Sequence, residues 1–128
     1  MMQQSELMPS YWDKVVERIF NLDAAVRYVG ISDLDYHVVL SKMRPGLSSL
    51  TSTEVDWDFL SMVPKLMVDS AQKLEDNCGP LRIINIRYRK VMVTIYRGTR
   101  HIVMLSFDPT IETPFLSKLA INLESIIH

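Results

Sequence analysis

A chain of 128 residues and 14.8 kDa has room for one domain, burying roughly two-thirds of its unfolded surface. A hydrophobic share of 48%, four glycines and a net charge of -1 exclude extended disorder and any global pull toward nucleic acid or acidic membrane. The single cysteine, Cys78, excludes an internal disulfide; no apolar run approaches the ~18 residues of a membrane span, so a reducing, cytoplasmic setting is expected.

Met1 to Pro9 is polar and unpatterned, so residues 1–9 are expected to be disordered and residues 10–128 to form the domain. Ser10 is a candidate N-cap for a helix whose apolar stripe is Trp12, Val15, Val16, Ile19 and Phe20. Two strand patterns follow, Val26–Ser32 and His37–Met43, around the turn Asp33-Leu34-Asp35-Tyr36. Gly30 inside the first strand suggests a bulge or a closely passing backbone. Thr51 with Glu54 makes a capping box for a long helix carrying Val55, Phe59, Met62, Val63, Leu66, Met67 and Leu74 at helical spacing. Pro64, deep in that run, predicts a kink, and Asn77-Cys78-Gly79-Pro80 ends the helix.

Leu81–Tyr88, Val91–Tyr96 and Ile102–Phe107 read as three strands. Arg89-Lys90 makes one tight turn between them and Arg97-Gly98-Thr99-Arg100 another, with Gly98 available for positive φ. Links this short permit only antiparallel neighbours, hence a meander. Thr113-Pro114 then opens a last helix with Leu116, Leu119, Ala120, Leu123, Ile126 and Ile127 on one face. The first meander strand alternates, with Ile84 and Ile86 opposite Asn85 and Arg87. The other two do not, so both their faces are expected to be covered, by an extra helix or by a partner chain.

Helix, hairpin, long helix, three-stranded meander and helix make an α+β fold: a five-stranded antiparallel sheet with helices expected on one face. From Tyr11 to Ile127 this order resembles the roadblock (dynein light chain) and longin domains of the profilin-like architecture. The run from Val26 to Asp35 is similar to their apolar strand and Asp-x-Asp-Gly turn, and Lys90 to Pro109 to their final hairpin ending in Asp-Pro. The run Arg27-Tyr28-Val29-Gly30 also resembles small archaeal proteins of this shape. Tyr36 stands where the turn wants glycine; because positive φ is costly for tyrosine, a different or longer turn is expected. The resemblance implies a homodimer, joined through sheets or helices, that serves as a non-catalytic platform for a small GTPase or other signalling protein.

Chemistry is sparse. Asp33 and Asp35 lack the glycine and glutamate of a calcium loop, and His37, His101 and His128 have no ligand spacing. No catalytic motif occurs, so neither an enzyme nor a cofactor nor a metal is expected. Arg82, Arg87, Arg89, Lys90, Arg97 and Arg100 form a basic run. Of these, Arg87, Arg89, Lys90, Arg97 and Arg100 are candidate anion contacts, although the sequence pI near 6.3 argues against nucleic acid. Trp57, Met62, Met67, Met92 and Met104 are candidate interface residues, methionine being adaptable at contact surfaces. The rival reading is a small-ligand sensor of PAS or profilin type, its pocket built where Tyr28, Arg87, Tyr96 and His101 converge.

Overall fold

The computed structural model describes residues 2–48, 61–110 and 113–127, with the backbone alone at 2–10 and 113. The elements are α1 (Met2–Phe20), β1 (Val26–Asp33), β2 (Val38–Met43), α2 (Val63–Ala71), a 3₁₀ turn (Gln72–Leu74), α3 (Glu75–Cys78), β3 (Ile83–Arg87), β4 (Met92–Arg97), β5 (His101–Phe107) and α4 (Thr113–Ile126). The five strands form one antiparallel sheet in the order β2-β1-β5-β4-β3.

α1 runs from Met2 to Phe20, so Ser10 lies inside it rather than capping it. Gln3, Gln4, Glu6, Leu7 and Met8 are themselves good helix formers, which a search for a cap overlooks. Thr51, Glu54 and Trp57 lie outside the described residues. Pro64 sits in the first turn of α2, where its missing N–H is tolerated, rather than deep inside a continuous helix. Ser61 is helical and Met62 is not, so the helix is interrupted just ahead of the proline. Gly79 ends α3 with φ +88°, as the Gly-Pro pair predicts.

The helices occupy both faces of the sheet, not one. Trp12, Val16, Ile19, Leu119 and Leu123 of α1 and α4 bury one face, against Val29, Ile31, Val103, Leu105 and Phe107. Val68 of α2 packs on the other, against Ile95, Ile102 and Met104. This explains why β4 and β5 do not alternate: odd and even residues both meet helices from the same chain. Burial of these side chains is worth on the order of 1.5–3 kcal/mol each before entropy is charged.

The turns divide into expected and unexpected. Arg89-Lys90 makes the tight link, with the Tyr88 N–H donating to the Val91 carbonyl at 2.8 Å. Gly98 does not need positive φ. A Cβ there would lie 2.9 Å from the His101 carbonyl oxygen and 3.2 Å from the Tyr96 ring, so close approach is what requires glycine. Gly30 pairs regularly with Ser41 and Met104; the bulge falls one step later, between Ile31 and Ser32. Tyr36 adopts φ +66°, the conformation the sequence argues against. Its N–H donates to the Asp33 carbonyl and the Asp33 N–H to the His37 carbonyl, giving a three-residue hairpin with a left-handed last residue.

Candidate interaction surface

The Asp33 carboxylate holds that hairpin together. Oδ1 accepts the N–H groups of Asp35 and His37, each at 2.9 Å, and Oδ2 lies 3.2 Å from His37 Nδ1. Chiefly the His37 backbone bond keeps this carboxyl below its ordinary range. Asp33, Asp35 and His37 thus converge, and the Asp33 oxygens are already engaged in turn chemistry with the Asp35 and His37 backbone and the His37 ring. What fixes Tyr36 in its costly conformation is its far end. The phenol donates to Asp69 Oδ1 on α2 at 3.0 Å, and the ring joins Leu34, Val38 and Met67 around Val68. Burial first, then Asp69, pushes this phenol up to about 12. The hairpin is therefore fastened to the helix that covers its face, an arrangement in which neighbouring contacts offset local strain.

His101 sits across from Asp33 in the β1–β5 register and packs edge-on against Trp12, with ring centroids 4.7 Å apart. Its Nδ1 is buried without a hydrogen-bond partner among the described residues. Burial, with Arg100 adding to it and Asp33 opposing, pulls the imidazole below its ordinary range. The fold therefore favours neutral His101. Its stabilising contribution is complete above the ordinary value of 6.5 and is lost as pH falls through the depressed native value. The urea midpoint is expected to drop between pH 7.5 and pH 5.5, and to drop less in His101→Gln. Equal drops in both proteins would assign the effect elsewhere.

The anion candidates do not form one patch. Arg89 and Lys90 occupy the β3–β4 turn, while Arg97 and Arg100 flank the β4–β5 turn at the opposite end of the strands. Arg87 donates to the Pro109 carbonyl at 3.0 Å, Arg97 to the Gly98 carbonyl, and Arg82 pairs with Glu124 at 2.6 Å. Nor do the sensor residues converge. Tyr28 belongs to the α2 side of the sheet and Tyr96 to the α1–α4 side, and Arg87 is at the far end of its strand from His101. An open cleft of about 440 Å³ does exist between α3, α4 and the β4–β5 turn, lined by Glu75, Leu81, Arg82, Tyr96, Arg97 and Glu124. Its two cations face two carboxylates, so it offers no excess charge to select a ligand.

Among the interface candidates, two are core. Met92 is 5% and Met104 3% exposed; they pack on opposite faces of the sheet and present nothing to a partner. Met67 is half-buried beside Val68, and Trp57 is not described. Met62 is 57% exposed. Leu66, one turn on and read from sequence only as part of the stripe, is 64% exposed. On α2 the residues facing the sheet are Pro64 and Val68, so Met62 and Leu66 form a ridge pointing away from it. Leu74, the last residue of the 3₁₀ turn, is exposed as well. Half-covered Ile84 and Ile86 of the edge strand β3 belong to the same side of the sheet.

The same fold occurs in solved structures. The gliding protein MglB from Thermus thermophilus superposes with a TM-score of 0.67 at 14% identity, over 91% of this chain and 90% of that one. An MglB in a tetrameric arrangement gives 0.66 at 16% identity, over 91% and 89%. A Roadblock/LC7 domain from Streptomyces avermitilis gives 0.57 at 9% identity, over 80% and 82%. No protein-family model and no curated protein sequence matches the chain. The fold is the Roadblock/LC7 fold of MglB-like proteins, as its order of elements suggests, while the archaeal kinship drawn from Arg27–Gly30 finds no support in these matches.

Proposed function

We propose that this chain, built on a Roadblock/LC7 fold, is a non-catalytic interaction module that pairs with a second copy of itself. One observation carries this: the outward ridge Met62–Leu66 on a helix whose inner side already covers the sheet. A single exposed leucine means little, but an apolar row beside a half-covered edge strand is a surface that association would hide. β3 supports the reading, since among the described residues its outer edge has no strand partner. By the same likeness, a small GTPase or other signalling protein is the partner class such a dimer would serve.

The test is absolute mass by light scattering after size exclusion, over a concentration series. A dimer near twice 14.8 kDa is expected, and Leu66→Asp is expected to give monomers. Because Leu66 is mostly in water, that variant should keep its unfolding free energy within about 0.5 kcal/mol of the parent monomer's. A parent chain that stays monomeric at every concentration overturns the proposal.

A further inference from the structure

The β3–β4 turn carries both charge and an aromatic ring into open water. Arg87, Tyr88, Arg89 and Lys90 are consecutive and all exposed, Tyr88 at 51%. The Tyr88 N–H donates to the Val91 carbonyl and closes the link, so Arg89 and Lys90 form its convex tip. Neither of these two cations makes a side-chain bond among the described residues. Arg87 directs its own donors at uncharged groups, the Pro109 carbonyl and the Met92 sulfur. Asp108 belongs to the same end of the sheet, since Phe107 lies in register with Met92, but it is paired with Arg27 at 3.3 Å. Three cations therefore stand together without a counter-charge among the described residues, in a chain whose net charge is only -1.

We infer that this hairpin tip is a contact for the surface of an anionic lipid bilayer, which the folded chain touches from outside. No helix among the described residues is long and apolar enough to cross a membrane, so the contact is peripheral. Three features choose this occupant. The tip is convex, whereas single-stranded nucleic acid is held in a basic groove with aromatic platforms along it. Its cations are long side chains that the fold does not hold, which suits a fluid array of headgroup phosphates. A protein partner of fixed geometry would have to order them at a cost in affinity. Tyr88 offers an apolar body and a polar end, the combination favoured at headgroup level. Charge near an edge strand also discourages sheets from pairing, but that role asks for no exposed aromatic ring among the cations. The inference does not rest on the dimer.

The experiment is co-sedimentation of the full chain with vesicles at low salt. The chain should bind phosphatidylcholine vesicles that contain about one-third phosphatidylserine, and stay in solution with phosphatidylcholine alone. Each cation near such a surface contributes about fivefold, so Arg89→Gln/Lys90→Gln should lower the partition coefficient about 25-fold. Both residues are exposed and unbonded, so the urea midpoint of that variant should match the parent's. Lys73→Gln/Arg100→Gln removes the same charge from exposed positions beside the β4–β5 turn and its cleft, and should leave binding nearly unchanged. Raising the salt should release the parent chain. Equal losses in the two double variants overturn the proposal, because net charge rather than the tip would then carry the effect. A parent chain left in solution by the anionic vesicles overturns it as well, and capture of a single-stranded oligonucleotide through Arg89 and Lys90 would in that case assign the tip to nucleic acid.

Discussion

Arg44→Ala is expected to lower the unfolding free energy by about 3 kcal/mol, read as a fall in the urea midpoint with an unchanged slope. The guanidinium ties three carbonyls together. Nε donates to the Val26 oxygen at 2.7 Å, and Nη2 donates to Phe20 at 2.7 Å and to Asp23 at 2.9 Å. Phe20 is the last residue of α1, so its carbonyl is one of those a helix end leaves without a partner, and a cation there also meets the negative pole of the dipole. The charge lies 5.0 Å from the centre of the Phe20 ring. The Arg44 N–H donates to the Arg27 carbonyl at 2.7 Å, and Pro45-Gly46 turns the chain immediately after, with Gly46 at φ +88°. Hydrogen bonds to charged groups contribute about 1.5–3 kcal/mol each, but water would satisfy part of what alanine abandons, so the three do not add in full. Arg44→Lys should recover only a minority of the loss, because a point charge cannot reach three carbonyls in fork geometry. A loss under about 1 kcal/mol for alanine would mean that solvent replaces the guanidinium.

Nothing in the sequence announces that role. The partners of Arg44 lie 18 to 24 residues away, and a backbone carbonyl leaves no mark in residue type. The strands were legible because Val, Ile and aromatic runs between short polar turns have few other solutions, and links of two residues force antiparallel neighbours. The missing alternation on β4 and β5 says that both faces are covered, but not whether a helix of this chain or a partner covers the second; the fold answers with Val68 of α2 against Ile95, Ile102 and Met104. Helical periodicity has the same limit: it gathers Val63, Leu66, Met67 and Leu74 into one stripe, whereas the fold buries Val68 and leaves Leu66 and Leu74 in water. Periodicity says which residues share a face, not which face the sheet covers, and the helix is interrupted just ahead of Pro64. Tyr36 shows the reverse error. Local backbone preference argued against positive φ there, and a tertiary bond to Asp69 with burial beside Met67 outweighs that preference.

Met104→Ala separates core from surface on the α2 side of the sheet, and is expected to lower stability by about 3 kcal/mol. Met104 lies on β5 between Gly30 of β1 and Ile95 of β4, under the helix that carries Val68. Gly30 presents no side chain, so the neighbours available to close the space left by truncation are Ile95, Ile102 and Val68. Two of these are β-branched strand residues and the third is fixed on a helix, so collapse should be partial and the cavity cost largely retained. Folding and association are linked when a dimer is the stable form, so the comparison belongs in the Leu66→Asp background, where unfolding no longer depends on protein concentration. There, Met104→Ala should shift the urea midpoint strongly at a constant monomer mass. In the parent background, it should lower stability while the folded protein still elutes at the dimer mass. Leu66→Asp is expected to change the mass and to lose only the concentration-dependent part of the parent's stability. A stability loss under about 1 kcal/mol for Met104→Ala would place this side chain at a weakly packed surface, and the sheet face beneath α2 would then be part of the partner contact.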